Sequence, residues 1–222
     1  MNFFRPILAG ATLRDRVIAC VGACIGIGLT TLVGRLTMGH LDPIHAVLIG
    51  APLGASAVLV FVVPSSPLTQ PWPIIGGNII SALTGIAVAR FVADPVLASG
   101  LAVGLAIGFM SLARCLHPPG GGPALLCALA APTGAAHDFL FAFAPMGLNA
   151  VSLVAAAWVF HRFSGHTYPH KPLPAPAAPP PVEDADIDAA LAEMEALDVS
   201  RGDLKALIRL SLDNARNRRA GR

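Results

Sequence analysis

The sequence predicts an all-α, polytopic membrane helical bundle followed by a short helical tail. Three observations predict it. From Val17 to Phe160 the chain is one apolar run with only six Asp, Glu, Lys or Arg residues: Arg35, Asp42, Arg90, Asp94, Arg114 and Asp138. A water-facing surface needs far more charge than this. Hydrocarbon accepts the pattern, because each charge placed in a span costs about 2.5–3.5 kcal/mol. Composition agrees, with 55% hydrophobic and 13% charged residues and a mean hydropathy of +0.67. Most of the charge lies before residue 17 or after residue 182, and the net charge of +2 carries no nucleic-acid signal.

Six apolar segments follow in order: Arg16 to Gly34, Ile44 to Val63, Ile74 to Ala93, Val96 to Leu116, Pro119 to Ala131 and Phe139 to Phe160. The first, third, fourth and sixth have the roughly 20 residues a helix needs to cross a bilayer. The fifth has the length of a re-entrant or broken segment. The second is ambiguous, because His45 and Pro52 divide it and the part after Pro52 is as short as the fifth. The expectation is therefore four to six membrane segments.

These segments read as two similar three-segment repeats with short broken or re-entrant helices. Pro52-Leu-Gly-Ala-Ser-Ala-Val-Leu runs to Pro64, and Pro119-Gly-Gly-Gly-Pro-Ala-Leu-Leu runs to Pro132. Each is a Pro/Gly-rich entry, a short Ala/Leu/Val helix and a proline stop. Asn78-Ile-Ile-Ser81 with Arg90-Phe91 in one half matches Asn149-Ala-Val-Ser152 with Arg162-Phe163 in the other, and Arg35 matches Arg114. If each unit crosses three times, the second copy is inserted upside down, an arrangement that holds ligands near the midplane at broken helices. If the short segments are re-entrant, each unit crosses twice and the copies are parallel.

Arg5, Arg14 and Arg16 precede the first span, and Arg162 and Lys171 follow the last. Four or six crossings then put both termini on the cytoplasmic side. The N-terminus lacks the small-residue cleavage site of a removable signal peptide.

The sharpest local motif is Arg114-Cys-Leu-His-Pro-Pro-Gly-Gly-Gly-Pro-Ala. Two prolines suit the first turn of a new helix, and the glycines let backbone N–H groups approach a ligand or another helix. A helix N-terminus opening in a membrane cavity favours an anion, with His117 and Arg114 beside it. A tight helix-to-helix turn, with glycines serving packing alone, is the competing account.

The His117-Pro118-Pro119 triplet with its glycines, placed after a span ending in Arg114, resembles the signature of the HPP family of integral membrane proteins. Gly50-Ala-Pro-Leu-Gly-Ala-Ser-Ala-Val-Leu, the loop Pro64-Ser-Ser-Pro-Leu-Thr-Gln-Pro71, Gly76-Gly-Asn78 and Gly165-His-Thr-Tyr168-Pro169 support the resemblance. The resemblance covers roughly residues 12–172 and implies a multi-spanning protein of the kind found in bacteria and plant plastids, some implicated in nitrite transport. Many bacterial members carry a CBS pair after the membrane part. This chain has no room for one before Arg222, so nucleotide sensing is not expected of it.

The expected function is a channel or secondary transporter for a small inorganic anion, nitrite being the choice the resemblance implies. The alternative is a membrane-anchored scaffold or sensor acting through its tail. The expected substrate-binding residues are Asn78, Ser81, Arg114, His117, Gly120, Gly121, Asn149, Ser152, Gly54 and Ser56. Polar groups inside apolar helices must face a partner helix or a wet cavity, and interhelical hydrogen bonding competes with substrate lining at Asn78 and Asn149. Arg90 and Arg114 are expected chiefly to snorkel at helix ends.

No cofactor, metal site or catalytic constellation is expected. Cys20, Cys24, Cys115 and Cys127 read as small buried hydrophobes. His40, His45 and His137 lie near loops, and the spacing of His161, His166 and His170 fits no zinc motif. No serine sits in a nucleophile elbow, and carboxylates are too few for paired acid–base work. The expected partners are the lipid bilayer of a bacterial inner membrane and the anion; a homo-oligomer is compatible with such a bundle.

Three regions result: a transmembrane domain over 1–170, a Pro-rich linker over 171–182, and a short helical cytoplasmic tail over 183–222. The linker is an extended PPII spacer. In the tail, Ile187, Leu191, Met194 and Leu197 share a helical stripe. Ser200-Arg-Gly-Asp203 reads as an N-cap with an acidic third residue. The helix from Leu204 to Ala215 ends in basic residues suited to its dipole or to anionic lipid.

Overall fold

The computed structural model describes residues 12–37, 50–130, 138–171, 184–194 and 198–220, and every regular element in them is helical. His40, His45, His137 and nearly all of the Pro-rich linker lie outside the described residues. Among the described residues four helical stretches are long and apolar enough to cross a membrane, the last being Phe139–Ser164 taken through its break, and two half-length helices lie among them.

Helix α1 spans Leu13–Thr37. Its first turn is closed by Asp15, whose carboxylate accepts from the N–H and hydroxyl of Thr12, both at 2.7 Å. Gly22, Gly26, Thr30 and Gly34, four residues apart, form its buried face, while Val21, Ile25, Leu29 and Leu32 point outward. Small residues inward and large apolar residues outward is the pattern of a helix between protein and lipid. Cys20 and Cys24 fall on the outward face and are exposed. The expectation of four buried cysteines therefore holds for Cys115 and Cys127 alone.

A 3-10 turn, Ala51–Leu53, leads into the short helix α2, Gly54–Val62. The loop after it turns on Ser66 and Thr69: Thr69 Oγ1 donates to the carbonyls of Ser66 (2.7 Å) and Val63 (3.1 Å). Helix α3, Pro71–Phe91, then begins with two prolines in its first turn, where no N–H is needed. Helix α4, Pro95–Leu112, is N-capped by Asp94, which accepts from Leu97 N–H at 2.8 Å. Ala98, Ala102, Ala106 and Met110 are its buried stripe.

Helix α4 ends in a Schellman turn. Cys115 N–H donates to Met110 O (2.9 Å) and Arg114 N–H to Ser111 O (3.1 Å), with Arg114 left-handed at φ 53°. The 3-10 turn Pro118–Gly120 and helix α5, Gly121–Ala130, follow. The sixth segment is not one helix from Phe139. A 3-10 turn, Phe139–Ala142, and a wide π turn, Phe143–Gly147, precede helix α6, Leu148–Ser164. Ala144 is extended there (φ −133°, ψ 111°), and Pro145 offers no N–H to the ladder.

Helix α3 packs on α4 and α5, while α6 packs on α1, which also carries α2. Helix α3 thus lies against the two helices that follow it, and α6 against the two that open the chain. Gly77, Ser81 and Gly85, four residues apart, allow the close approach on α3. A Cβ on Gly77 would be 2.6 Å from His117 Cβ, and one on Gly85 would be 2.9 Å from Cys127 Cβ.

One end of the bundle gathers the start of α1, the end of α2, the start of α3 and the ends of α4 and α6. Asp15 lies 3.8 Å from His166, His161 Nε2 donates to Val60 O at 3.0 Å, and Trp72 Nε1 donates to Ala113 O at 3.1 Å. At the other end Arg90 stacks on Phe139, 4.3 Å from the ring centroid.

In the tail, α7 (Asp184–Glu193) and α8 (Arg201–Ala220) pair through Ile187, Leu191, Leu204 and Ile208. Ser200 caps α8: Asp203 N–H donates to its Oγ at 3.2 Å. Arg201 pairs with Asp188. The tail touches the bundle where Ser66 Oγ donates to Asp198 at 3.3 Å. A cavity of about 470 Å³ lies beside that end, lined by Arg14, Asp15, His166 and Glu193 among others.

Candidate functional site

The two half-length helices start beside one another in the interior and run apart. Helix α2 passes from Pro52, packed on Gly122, toward Val60 beside His161. The segment leading into α5 passes in the opposite sense along α3: His117 lies on Gly77, Ala124 on Gly85, and Ala128 shares a cluster with Val88. The positive ends of both helices therefore meet.

His117 ties them together. It is fully buried, its Nδ1 lies 2.8 Å from Leu68 O and its Nε2 lies 2.8 Å from Ser56 Oγ. A carbonyl can only accept, so Nδ1 carries a proton; in the neutral ring Nε2 then accepts and the Ser56 hydroxyl donates. Ser56 belongs to the first turn of α2, and His117 immediately precedes the Pro118–Gly120 turn into α5. One side chain thus sets the spacing of both helix starts.

Gly120 fills the corner next to it. A Cβ there would meet Ser81 Oγ at 2.6 Å and Met110 Sδ at 3.0 Å. Gly54 and Gly121, the first residues of α2 and α5, face open space. No Asp, Glu, Lys or Arg occurs anywhere in residues 50–89 or 115–130, so the helix ends carry the local positive potential without competition.

Of the sequence-predicted residues, Ser56, His117, Gly120 and Ser81 come together, with Gly54 and Gly121 on the adjoining helix starts. Asn78 and Asn149 are both fully buried, on the faces of α3 and α6 that share a core with Ile74, Ala82, Met146, Ala150 and Leu153. Asn78 Nδ2 donates to Ile74 O at 2.7 Å. Asn78 Oδ1 and both carboxamide atoms of Asn149 have no partner among the described residues. An unmet polar atom in a dry interior costs about 1–3 kcal/mol, so these two side chains are the polar groups of the core with hydrogen-bonding capacity to spare.

Two predicted residues stand apart. Arg114 is exposed. Ser152 is half-buried and its hydroxyl donates to Leu148 O at 2.9 Å, one turn back. Sequence reasoning missed the Pro64–Pro71 loop as the hub of the site. It accepts His117 through Leu68 O, and Tyr168 OH donates to Thr69 O at 2.9 Å. Gln70 Oε1 accepts from His170 N–H at 2.9 Å. Its Ser-Ser-Pro-Leu-Thr-Gln string, a polar run between two apolar segments, was the available signal. Buried His161, read as a flanking residue, is the second omission; it fastens α6 to α2 through Val60 O.

Among known proteins, the family model described as HPP, transmembrane region, matches residues 9–169. A transmembrane protein of Dictyostelium discoideum is 38% identical over 128 residues, 56% of this chain and 44% of that protein. Another from the same organism is 36% identical over 114 residues, 50% of this chain and 36% of its own length. The chain spans less than half the length of these curated relatives. No solved structure matches it.

Proposed function

As the chain belongs to the HPP transmembrane family, we propose that it is a channel or secondary transporter for a small inorganic anion, with nitrite the first substrate to try. One observation carries the reading: the N-terminal ends of α2 and α5 converge inside the bundle, linked by His117 and Ser56 at 2.8 Å. Converging helix starts favour an anion, and broken helices meeting at mid-depth are how many secondary transporters hold their substrate.

The two units read as inverted repeats, each with a half-length middle helix and a third helix exchanged onto the other unit. Their shared centre is where the anion binds, between Gly54–Ser56 and Gly120–Gly121, with Ser81, Asn78 and Asn149 lining the route. Arg114 supplies a fixed positive charge at the mouth. The basic residues near both termini orient those termini to the cytoplasm of a bacterial inner membrane.

The test is nitrite uptake into proteoliposomes at pH 8, against empty liposomes, with nitrate and chloride as competitors. Saturable uptake lost in Asn149→Ala and Ser56→Ala supports the reading. Folded protein that moves no anion faster than empty liposomes overturns it. A sensor reading has one supporting contact, Ser66 with Asp198, which joins the tail to the hub loop. Deleting residues 173–222 separates the two: a transporter keeps its flux, and a sensor loses its output.

A further inference from the structure

We propose that His117 is the proton-coupling residue of this anion site: it takes up one proton when the anion binds, and releases it when the anion leaves. The inference rests on the anion reading above and adds the co-bound ion.

The geometry supplies each step. Leu68 O holds the Nδ1 proton at 2.8 Å, so the free lone pair of the ring is at Nε2. That lone pair is taken by the Ser56 hydroxyl at 2.8 Å. In this state the hydroxyl proton points at the ring and the site offers the anion nothing from Ser56. A proton from water placed on Nε2 reverses the bond: Nε2–H donates and Ser56 Oγ accepts. The hydroxyl hydrogen is then free to rotate toward an anion oxygen at the starts of α2 and α5. No covalent bond other than N–H forms, and no electron moves. The heavy atoms keep their places, since both forms use the same 2.8 Å contact.

The surroundings leave His117 as the residue suited to this task. It meets Ser56 from α2, Leu68 from the hub loop and Gly77 from α3, with Met110 of α4 against the same Gly77 position. None of these is titratable. Cys115, two residues back, is buried, and Arg114 is exposed. Asp198 reaches the far side of the loop at Ser66, and Tyr168 reaches it at Thr69. The spans carry no carboxylate beside the site, so the anion itself is the negative partner for imidazolium. Charge pairs of this kind, buried and hydrogen-bonded, hold only when both members are present. That is the physical basis of coupling, and linkage makes it reciprocal.

The experiment is isothermal titration calorimetry of the full chain in detergent with sodium nitrite. It is run in two non-anionic buffers of different ionisation enthalpy, so that protons taken up per anion are counted directly. One proton per nitrite near neutral pH is expected, with affinity rising by up to about tenfold for each unit the pH falls. His117→Gln keeps hydrogen-bonding atoms but cannot titrate, so its uptake should fall to zero with pH-independent binding. Ser56→Ala is expected to bind more weakly at every pH while still taking up the proton. Saturable binding by the wild type with no proton uptake overturns the inference and leaves the anion reading standing. Undiminished uptake in His117→Gln overturns it as well. If nitrite, nitrate and chloride all fail to bind, the anion reading falls, and this inference falls with it.

Discussion

A Cβ placed on Gly85 would lie 2.3 Å from the carbonyl oxygen of Ala124. That approach presses α5 onto α3 and so sets how deep the start of α5 sits. Gly85→Ala is therefore expected to separate the two helices and destabilise the protein by about 1–3 kcal/mol, the usual range for overpacking. Gly100→Ala on α4 faces open space and should leave stability within about 0.5 kcal/mol. Thermal unfolding of the two variants in one detergent compares them, and equal midpoints would contradict the packing described.

Asn149 offers a test that separates stability from transport. Both of its carboxamide atoms lack partners among the described residues. Replacing it with Leu should hold or raise the unfolding midpoint, because about 1–3 kcal/mol of unmet hydrogen bonding is removed. The same change should cut anion flux by tenfold or more if the carboxamide lines the route. A midpoint that drops sharply would mean that Asn149 bonds a group in the folded protein.

Arg114 adopts φ 53° at the end of α4, the left-handed position of a Schellman turn. Glycine meets no Cβ penalty there, and the penalty is about 1–2 kcal/mol for other residues. Arg114→Gly should accordingly stabilise the fold by roughly 1 kcal/mol. Flux measured on the same variant decides whether its charge also serves the anion: unchanged flux removes Arg114 from the site.

Tyr168 OH donates to Thr69 O at 2.9 Å, and burial pushes its pKa up from 10.0. The folded protein keeps the phenol protonated where the unfolded chain ionises it. Its contribution to stability is thus complete below pH 10 and is lost as pH rises above that value. Tyr168→Phe should cost about 1 kcal/mol at pH 8 and flatten the decline between pH 10 and 11. Urea or SDS unfolding at the two pH values checks the sign.

The long spans were legible because hydrocarbon leaves a one-dimensional record: twenty apolar residues with charges at the ends. The Ser200–Asp203 cap and the Pro-Pro start into α5 were legible for a similar reason, since each is a local rule spoken by neighbouring residues. The break before α6 escaped notice, as Ala144 and Pro145 sit in a stretch whose hydropathy looks continuous.

The sequence by itself determined that the chain enters a membrane, which segments are long enough to cross and which are short. It also singled out His117, Ser56 and Gly120. Tertiary structure alone decided that His117 reaches Ser56, 61 positions away in sequence, and that Leu68 O sets its tautomer. It also decided that α3 packs on α4 and α5 while α6 returns to α1. Insertion into lipid depends on each segment's own transfer energy, which sums along the chain. Which helix starts face each other depends on close packing between small residues far apart in sequence, and no local pattern records that choice.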